Sequence, residues 1–274
     1  MYCRSWIELL TLFRSKMMGE EIVKISDLSV SYDGEVALAG VNISFYADDF
    51  VGIIGPNGGG KSTLIKAILG LVPYVGTVDI SEEVVAGGIG YMPQQNLFDN
   101  EFPISVEELV LSGLQRNKGL FGRYSKSDRL RVKAILEELG VDNLAKKCVG
   151  ELSGGQLQRA LLGRAIISEP KLLILDEPAN FVDNRFENEL YTLLTELNKR
   201  MAIIMVSHDV GTITTVVKNV VCVNRTVHRH PTAELTPELL ANYHCPIQVL
   251  SHGPVPHTVL AHHHDDCHCG HDRC

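Results

Sequence analysis

The segment Gly55-Pro56-Asn57-Gly58-Gly59-Gly60-Lys61-Ser62-Thr63 constrains this chain more than any other. It fits the pattern G-x-x-x-x-G-K-[ST], and its surroundings are the ones that pattern needs. Phe50–Ile54 reads as a short buried strand before it. Leu64, Ile65, Ala67 and Ile68 then fit one face of a helix that Gly70 can end. The glycines let successive backbone N–H groups turn inward as an anion-binding nest, and the helix N-terminus adds a favourable dipole. Lys61 is placed to reach the β- and γ-phosphates of a nucleotide, and the Ser62 hydroxyl to ligate Mg²⁺. Strand, spacing and helix together imply binding of ATP or GTP.

The rest of the chain organises around that loop. Ile22–Tyr32 is rich in β-formers, a turn follows at Asp33-Gly34, and Val41–Tyr46 alternates again, so an antiparallel sheet is expected first. From Ser105 to Leu139 the apolar spacing is helical, interrupted by a glycine-containing basic linker over Asn117–Lys126. This reads as a helical insertion in an α/β core. Leu172–Leu175 and Ala202–Val206 are strand-like runs separated by a helix over Arg185–Lys199, which implies a largely parallel sheet. Beyond Val227 the pattern dissolves into Pro, His and Cys.

Composition narrows the classes. The net charge of −8 argues against a broad basic surface for nucleic acid. No run reaches the roughly 18 apolar residues of a membrane-spanning helix, so a membrane role is expected to act through a partner. The seven cysteines are scattered or crowded at one end rather than spaced as a disulfide framework, which suggests a reducing compartment. Residues 1–17, with Arg4, Trp6, Leu9, Leu10, Phe13 and Arg14, are expected to be a disordered extension or a misplaced start, with Met17 or Met18 as the alternative beginning; the other reading is a short amphipathic helix.

Further motifs follow in order. Leu152-Ser153-Gly154-Gly155-Gln156, followed by Gln158-Arg159, could by itself be a helix N-cap. Leu172-Leu173-Ile174-Leu175-Asp176-Glu177-Pro178 places two acids at the carboxyl end of a strand buried on both faces, where open parallel sheets bind ligands. Gln94 lies in Tyr91-Met92-Pro93-Gln94, and His208 in Ser207-His208-Asp209. Taken together these resemble the ATP-binding subunits of ABC (ATP-binding cassette) transporters: phosphate loop, Q-loop glutamine, signature motif, Walker B acids, D-loop aspartate (Asp183) and switch histidine. The resemblance covers about residues 21–227, with 228–274 left as a His/Cys-rich tail. One departure is Asn180, near which many members carry a small hydroxyl residue.

That resemblance implies an α/β fold: a P-loop NTPase (RecA-like) core with an N-terminal antiparallel β subdomain and an α-helical subdomain inserted over about 95–160. It implies ATP and Mg²⁺ as cofactors and a head-to-tail homodimer with ATP at the interface. One copy offers Tyr32 to stack on adenine, Gly55, Pro56, Asn57, Gly58, Gly59, Gly60, Lys61, Ser62, Thr63 and Gln94. The other offers Ser153, Gly154, Gly155, Gln156 and Asp183. Glu177 is implied as general base, His208 and Lys61 as further catalytic groups, and Ser62, Gln94 and Asp176 as the Mg²⁺ set. Further implied partners are an integral membrane permease and, indirectly, a periplasmic or surface metal-binding protein, with the chain peripheral on the cytoplasmic face of the inner membrane. The groove for the permease is expected within 97–123.

Gln94-Gln95, Phe102-Pro103-Ile104-Ser105-Val106, Val110, Gly113 and Asn224-Arg225 with His228 and His230 resemble the metal-ion importer ATPases, in particular the zinc and manganese group. His262, His263, His264, Cys267, His268, Cys269, His271 and Cys274 form a cluster whose imidazoles and thiolates suit Zn²⁺. The alternative is a disordered tail with no physiological metal. Zinc import is the expectation; manganese, iron or iron-chelate import, an exporter ATPase, and a soluble non-transport ABC ATPase stand as alternatives. Only about sixty residues separate Gln94 from Ser153, too few for the long coiled coil of DNA-acting members.

Overall fold

A computed structural model describes residues 19–94, 103–115, 123–178, 184–208, 210–232, 247–250 and 257–260. The expected hairpin forms from β1 (Glu21–Tyr32) and β2 (Glu35–Tyr46), with Tyr32 opposite Glu35. Asp33 and Gly34 take φ of 48° and 86°, the left-handed pair whose twist matches the strands of a two-residue turn. Strand β3 (Phe50–Ile54) then runs into the phosphate loop and α1 (Lys61–Ile68). Strand β4 (Val75–Ile80) returns to the other edge of β1, completing an antiparallel sheet of order β2-β1-β4.

The second sheet holds the site. It draws on β3, β5 (Ile89–Met92), β6 (Leu172–Asp176), β7 (Ala202–Val206), β8 (Asn219–Asn224) and β9 (Thr226–Pro231), in the order β5-β6-β7-β3-β8-β9. All pairs are parallel except β8 with β9. The apolar runs lack alternation because both faces are covered. Phe50, Ile54, Leu173, Leu175, Ile203 and Met205 point into one core. Val51, Ile53, Leu172, Ile174, Ala202, Ile204 and Val206 point into the other, shared with α1 and the antiparallel sheet.

The first core is roofed by helices. Short α2 (Glu82–Gly87) precedes β5 and packs by Val84 into the second core; α3 (Val106–Ser112), α4 (Lys126–Glu138) and α5 (Gly154–Ile166) lie between β5 and β6; α6 (Asn184–Leu197) and α7 (Val210–Ile213) link later strands. Ser105, Ser125 and Ser153 each cap a helix reciprocally with Glu108, Asp128 and Gln156, satisfying backbone N–H groups that a helix start leaves open. Close packing fixes α3 on α5: a Cβ on Gly113 would lie 2.1 Å from the Arg164 carbonyl oxygen.

Two differences from the sequence reading stand out. Ordered pairing does not stop at Val227, because β9 continues to Pro231 along the edge of β8, with Cys222 opposite His228 and Val220 opposite His230. An edge strand needs only backbone partners on one side, so its exposed and partly buried His, Arg and Pro side chains give no apolar alternation in the sequence. Farther on, β10 (Ile247–Leu250) and β11 (His257–Leu260) pair antiparallel. Among the described residues no helix is long and apolar enough to cross a membrane.

Candidate nucleotide site

Register alone brings the chemistry together. Met92 lies beside Leu175, Asp176 beside Val206, and Val206 beside Ile53. One or two residues beyond these pairings, Gln94, Glu177, His208 and Gly55 leave the same carboxyl edge on four adjacent strands. This is where the strand order reverses around β3, the position at which open parallel sheets bind ligands.

The phosphate loop is held open by its own lysine. Lys61, 6% exposed, donates from Nζ to the carbonyl oxygens of Gly55 and Pro56, both at 2.9 Å. Gly55 has φ 148°, and a Cβ there would stand 2.0 Å from the Val223 carbonyl oxygen, so no other residue fits. The loop encloses one side of a cleft of about 380 Å³. Tyr32, Glu35, Val36, Ala37, Asn57, Gly58, Gly60, Lys61, Ser62, Thr63, Glu177, His208 and Arg225 line it. Tyr32 is 43% exposed, a large aromatic face left free beside the loop.

Over the far end, Gln94 Nε2 donates to Glu177 Oε2 at 2.6 Å, and His208 Nε2 pairs with Glu177 Oε1. The Glu177 backbone is bent to φ 54°, with its N–H donating to the Val206 carbonyl at 3.1 Å. A non-glycine residue in this region carries strain, of the kind that gathers at functional sites. Asp176 is 8% exposed. Burial pushes its carboxyl above the usual aspartate range, and the neighbouring Glu177 pushes it further, while Lys61, Lys66 and His208 pull the other way. Burial, then Asp176, also raises the Tyr91 phenol.

Of the expected site residues, Tyr32, Asn57, Gly58, Gly60, Lys61, Ser62, Thr63, Glu177 and His208 line one cleft, and Gln94 joins them through Glu177. Gly55, Pro56 and Gly59 shape the loop beneath. The Ser153–Gln156 segment caps α5 and, among the described residues, is not part of this cleft's wall. Asp183, and the expected metal ligands His262, His263, His264, Cys267, His268, Cys269, His271 and Cys274, lie outside the described residues. Among those described, no group of three or more His, Cys, Asp or Glu is placed to hold a metal ion. Sequence reasoning missed Glu35, Val36, Ala37 and Arg225 as cleft residues. Arg225 had a signal in Asn224-Arg225, read there only as a group likeness.

Cleft, loop and sheet order define a P-loop NTPase, and known proteins narrow the class. The ABC transporter family model matches residues 38–180. The chain is 38% identical over 222 residues to a probable metal transport system ATP-binding protein of Thermotoga maritima, covering 80% of this chain and 88% of that one. It is 36% identical over 239 residues to the zinc uptake system ATP-binding protein ZurA of Listeria monocytogenes (81% and 93%). It is 37% identical over 226 residues to the manganese transport system ATP-binding protein MntB of Halalkalibacterium halodurans (80% and 90%). Among solved structures, a transporter described as of the metal-chelate type superposes with TM-score 0.75 at 27% identity, over 87% of this chain and 96% of that one. The chain belongs to the ABC transporter family. As the family's ATP-binding component it is an ATP hydrolase.

Proposed function

We propose that this chain hydrolyses ATP to drive uptake of a divalent metal ion, zinc before manganese, iron or an iron chelate, through a separate membrane permease on whose cytoplasmic side it sits. The hydrolytic part is carried by the Gln94–Glu177–His208 cluster facing the Lys61 loop across one cleft. The metal part is supported by the zinc and manganese systems that the similar proteins serve.

Tyr32 stacks on the adenine, and the loop from Gly55 to Thr63 wraps the phosphates with backbone N–H groups. Lys61, already fixed by two carbonyls, neutralises the β- and γ-phosphates. Glu177 is poised as general base toward a water attacking the γ-phosphorus. His208, bonded to Glu177, stabilises the charge that develops on the γ-phosphate oxygens. The residues present fit Mg²⁺: Asp176 is a buried carboxyl crowded by a second one, an arrangement a cation relieves. Ser62, Gln94 and Asp176 are the proposed holders, and the ion neutralises phosphate charge when bound.

Because Ser153, Gly154, Gly155 and Gln156 are not in the wall of the cleft in their own chain, they are proposed to close the cleft of a second copy, joined by Asp183. In addition, Ser112 and Gly113, within the span expected to meet the permease, line a second groove of about 390 Å³ with Tyr91, Pro93 and Arg164. We assign this groove to a cytoplasmic helix of the permease. The tail residues from His262 to Cys274 are proposed to bind Zn²⁺, and equilibrium dialysis of the full chain against a variant lacking them tests this.

Reconstitution with the permease in vesicles tests the whole reading. ATP-driven accumulation of zinc over manganese supports it. Preference for manganese or iron moves the cargo assignment, and ATP turnover with no metal movement sinks the import reading.

A further inference from the structure

One cation in the cleft has no task in the scheme above. Arg225 sits at the turn between β8 and β9, and its backbone is wedged between the two walls of the site. Its N–H donates to the Gly59 carbonyl at 2.9 Å, and its carbonyl accepts from the Ala39 N–H at 2.9 Å. The turn is thereby fastened to the phosphate loop on one side and to β2 on the other. Arg225 is part of the cleft wall together with Tyr32, Glu35 and Ala37, all on the β1–β2 hairpin. With Glu177 and His208 assigned to the γ-phosphate in the reading above, Arg225, fastened to the hairpin that carries Tyr32, falls to the nucleoside end.

Two features separate Arg225 from an ordinary surface arginine. First, the guanidinium makes no hydrogen bond or ion pair among the described residues, whereas the Lys61 ammonium is engaged by loop carbonyls. Second, its φ is 59°, the left-handed region in which glycine rests without strain and a residue carrying a Cβ does not. A turn with no further duty would be better served by glycine. A long cationic residue is instead kept there, in a strained backbone on the wall of the cleft.

We propose that Arg225 is a further nucleotide-binding residue, its guanidinium contacting the α-phosphate while Lys61 serves the β- and γ-phosphates. Guanidinium is suited to this, presenting a planar fork of donors to phosphate oxygens. The arrangement distributes positive charge along the whole phosphate chain rather than at one end. ADP and AMP retain the α-phosphate and keep the contact; adenosine does not.

The inference rests on the ATP-binding reading, and one set of titrations separates the two. Binding of ATP, ADP, AMP and adenosine to the full chain is measured by calorimetry for wild type, Arg225→Gly and Arg225→Gln, with thermal melting of each ligand-free protein. Arg225→Gly removes the guanidinium and relieves the backbone together, so its ligand-free melting temperature should hold or rise. Its affinity for ATP, ADP and AMP should fall by roughly tenfold, the scale of one charged hydrogen-bonded contact, and its affinity for adenosine should not change. Arg225→Gln should show the same pattern without the gain in melting temperature. Unchanged ATP and ADP affinity in both variants overturns the proposal, as does an equal loss for adenosine, which would mark a reshaped cleft instead of a lost phosphate contact. Failure of wild type to bind ATP would overturn the underlying reading instead.

Discussion

Replacing Glu177 by glutamine tests the chemistry with little disturbance to structure. The side chain is 10% exposed and is bonded on one oxygen by Gln94 and on the other by His208. A glutamine of the same shape can accept from Gln94 through its oxygen and donate to His208 through its amide nitrogen, if the imidazole carries its proton on Nδ1. Both contacts then survive, and so does the bent backbone. What is lost is the carboxylate proposed as the general base. Loss of a general base slows a reaction by about 10²–10⁴-fold, or about 2.7–5.4 kcal/mol of barrier at 1.36 kcal/mol per tenfold. Removing one charge also relieves Asp176, whose carboxyl is raised partly by Glu177, so nucleotide binding should not weaken. Steady-state phosphate release should therefore fall by at least about a hundredfold, while ATP affinity stays within about threefold. ATP-dependent dimer formation, read by light scattering, should persist. Turnover within a few-fold of wild type would refute the assignment of Glu177 as base.

Other perturbations follow from the same geometry. Gly55→Ala forces a Cβ to 2.0 Å from a backbone oxygen at a φ only glycine favours; destabilisation on the order of 3 kcal/mol or more and loss of nucleotide binding are expected, measurable by denaturant melts and titration. Asp176→Asn should stabilise the ligand-free protein at neutral pH. The folded carboxyl titrates above its unfolded value, so its charge penalises the fold above that range. The gain should shrink as pH falls through the folded pKa and vanish below the unfolded one, while hydrolysis with Mg²⁺ is lost at all pH. Ser105→Ala removes the acceptor for the Glu108 N–H and should cost about 1 kcal/mol in a melt. Surface changes at Ser112 or Arg164 in the second groove should uncouple transport from ATP binding in vesicles; unchanged transport would argue against that groove as the permease seat.

What could be read without the fold was whatever depends on neighbours in the chain. The phosphate loop, the Asp33-Gly34 turn and the serines that start helices at 105 and 153 are local matters of φ, capping and nest formation. The run of Leu172–Leu175 declared a strand covered on both sides, because no polar residue interrupts it. Pairing across distance was another matter. Nothing in the spacing of Gln94, Glu177 and His208 states that they touch; that follows only from the order β5-β6-β7-β3 and a ladder register that carries each to the same edge. The same holds for β9, whose sequence carries no apolar alternation, and for Arg225, whose neighbours Gly59 and Ala39 lie far away in sequence. A chain can specify its local conformations residue by residue, but which strand lies beside which is decided by burying two sheet faces at once, and that is a property of the folded whole.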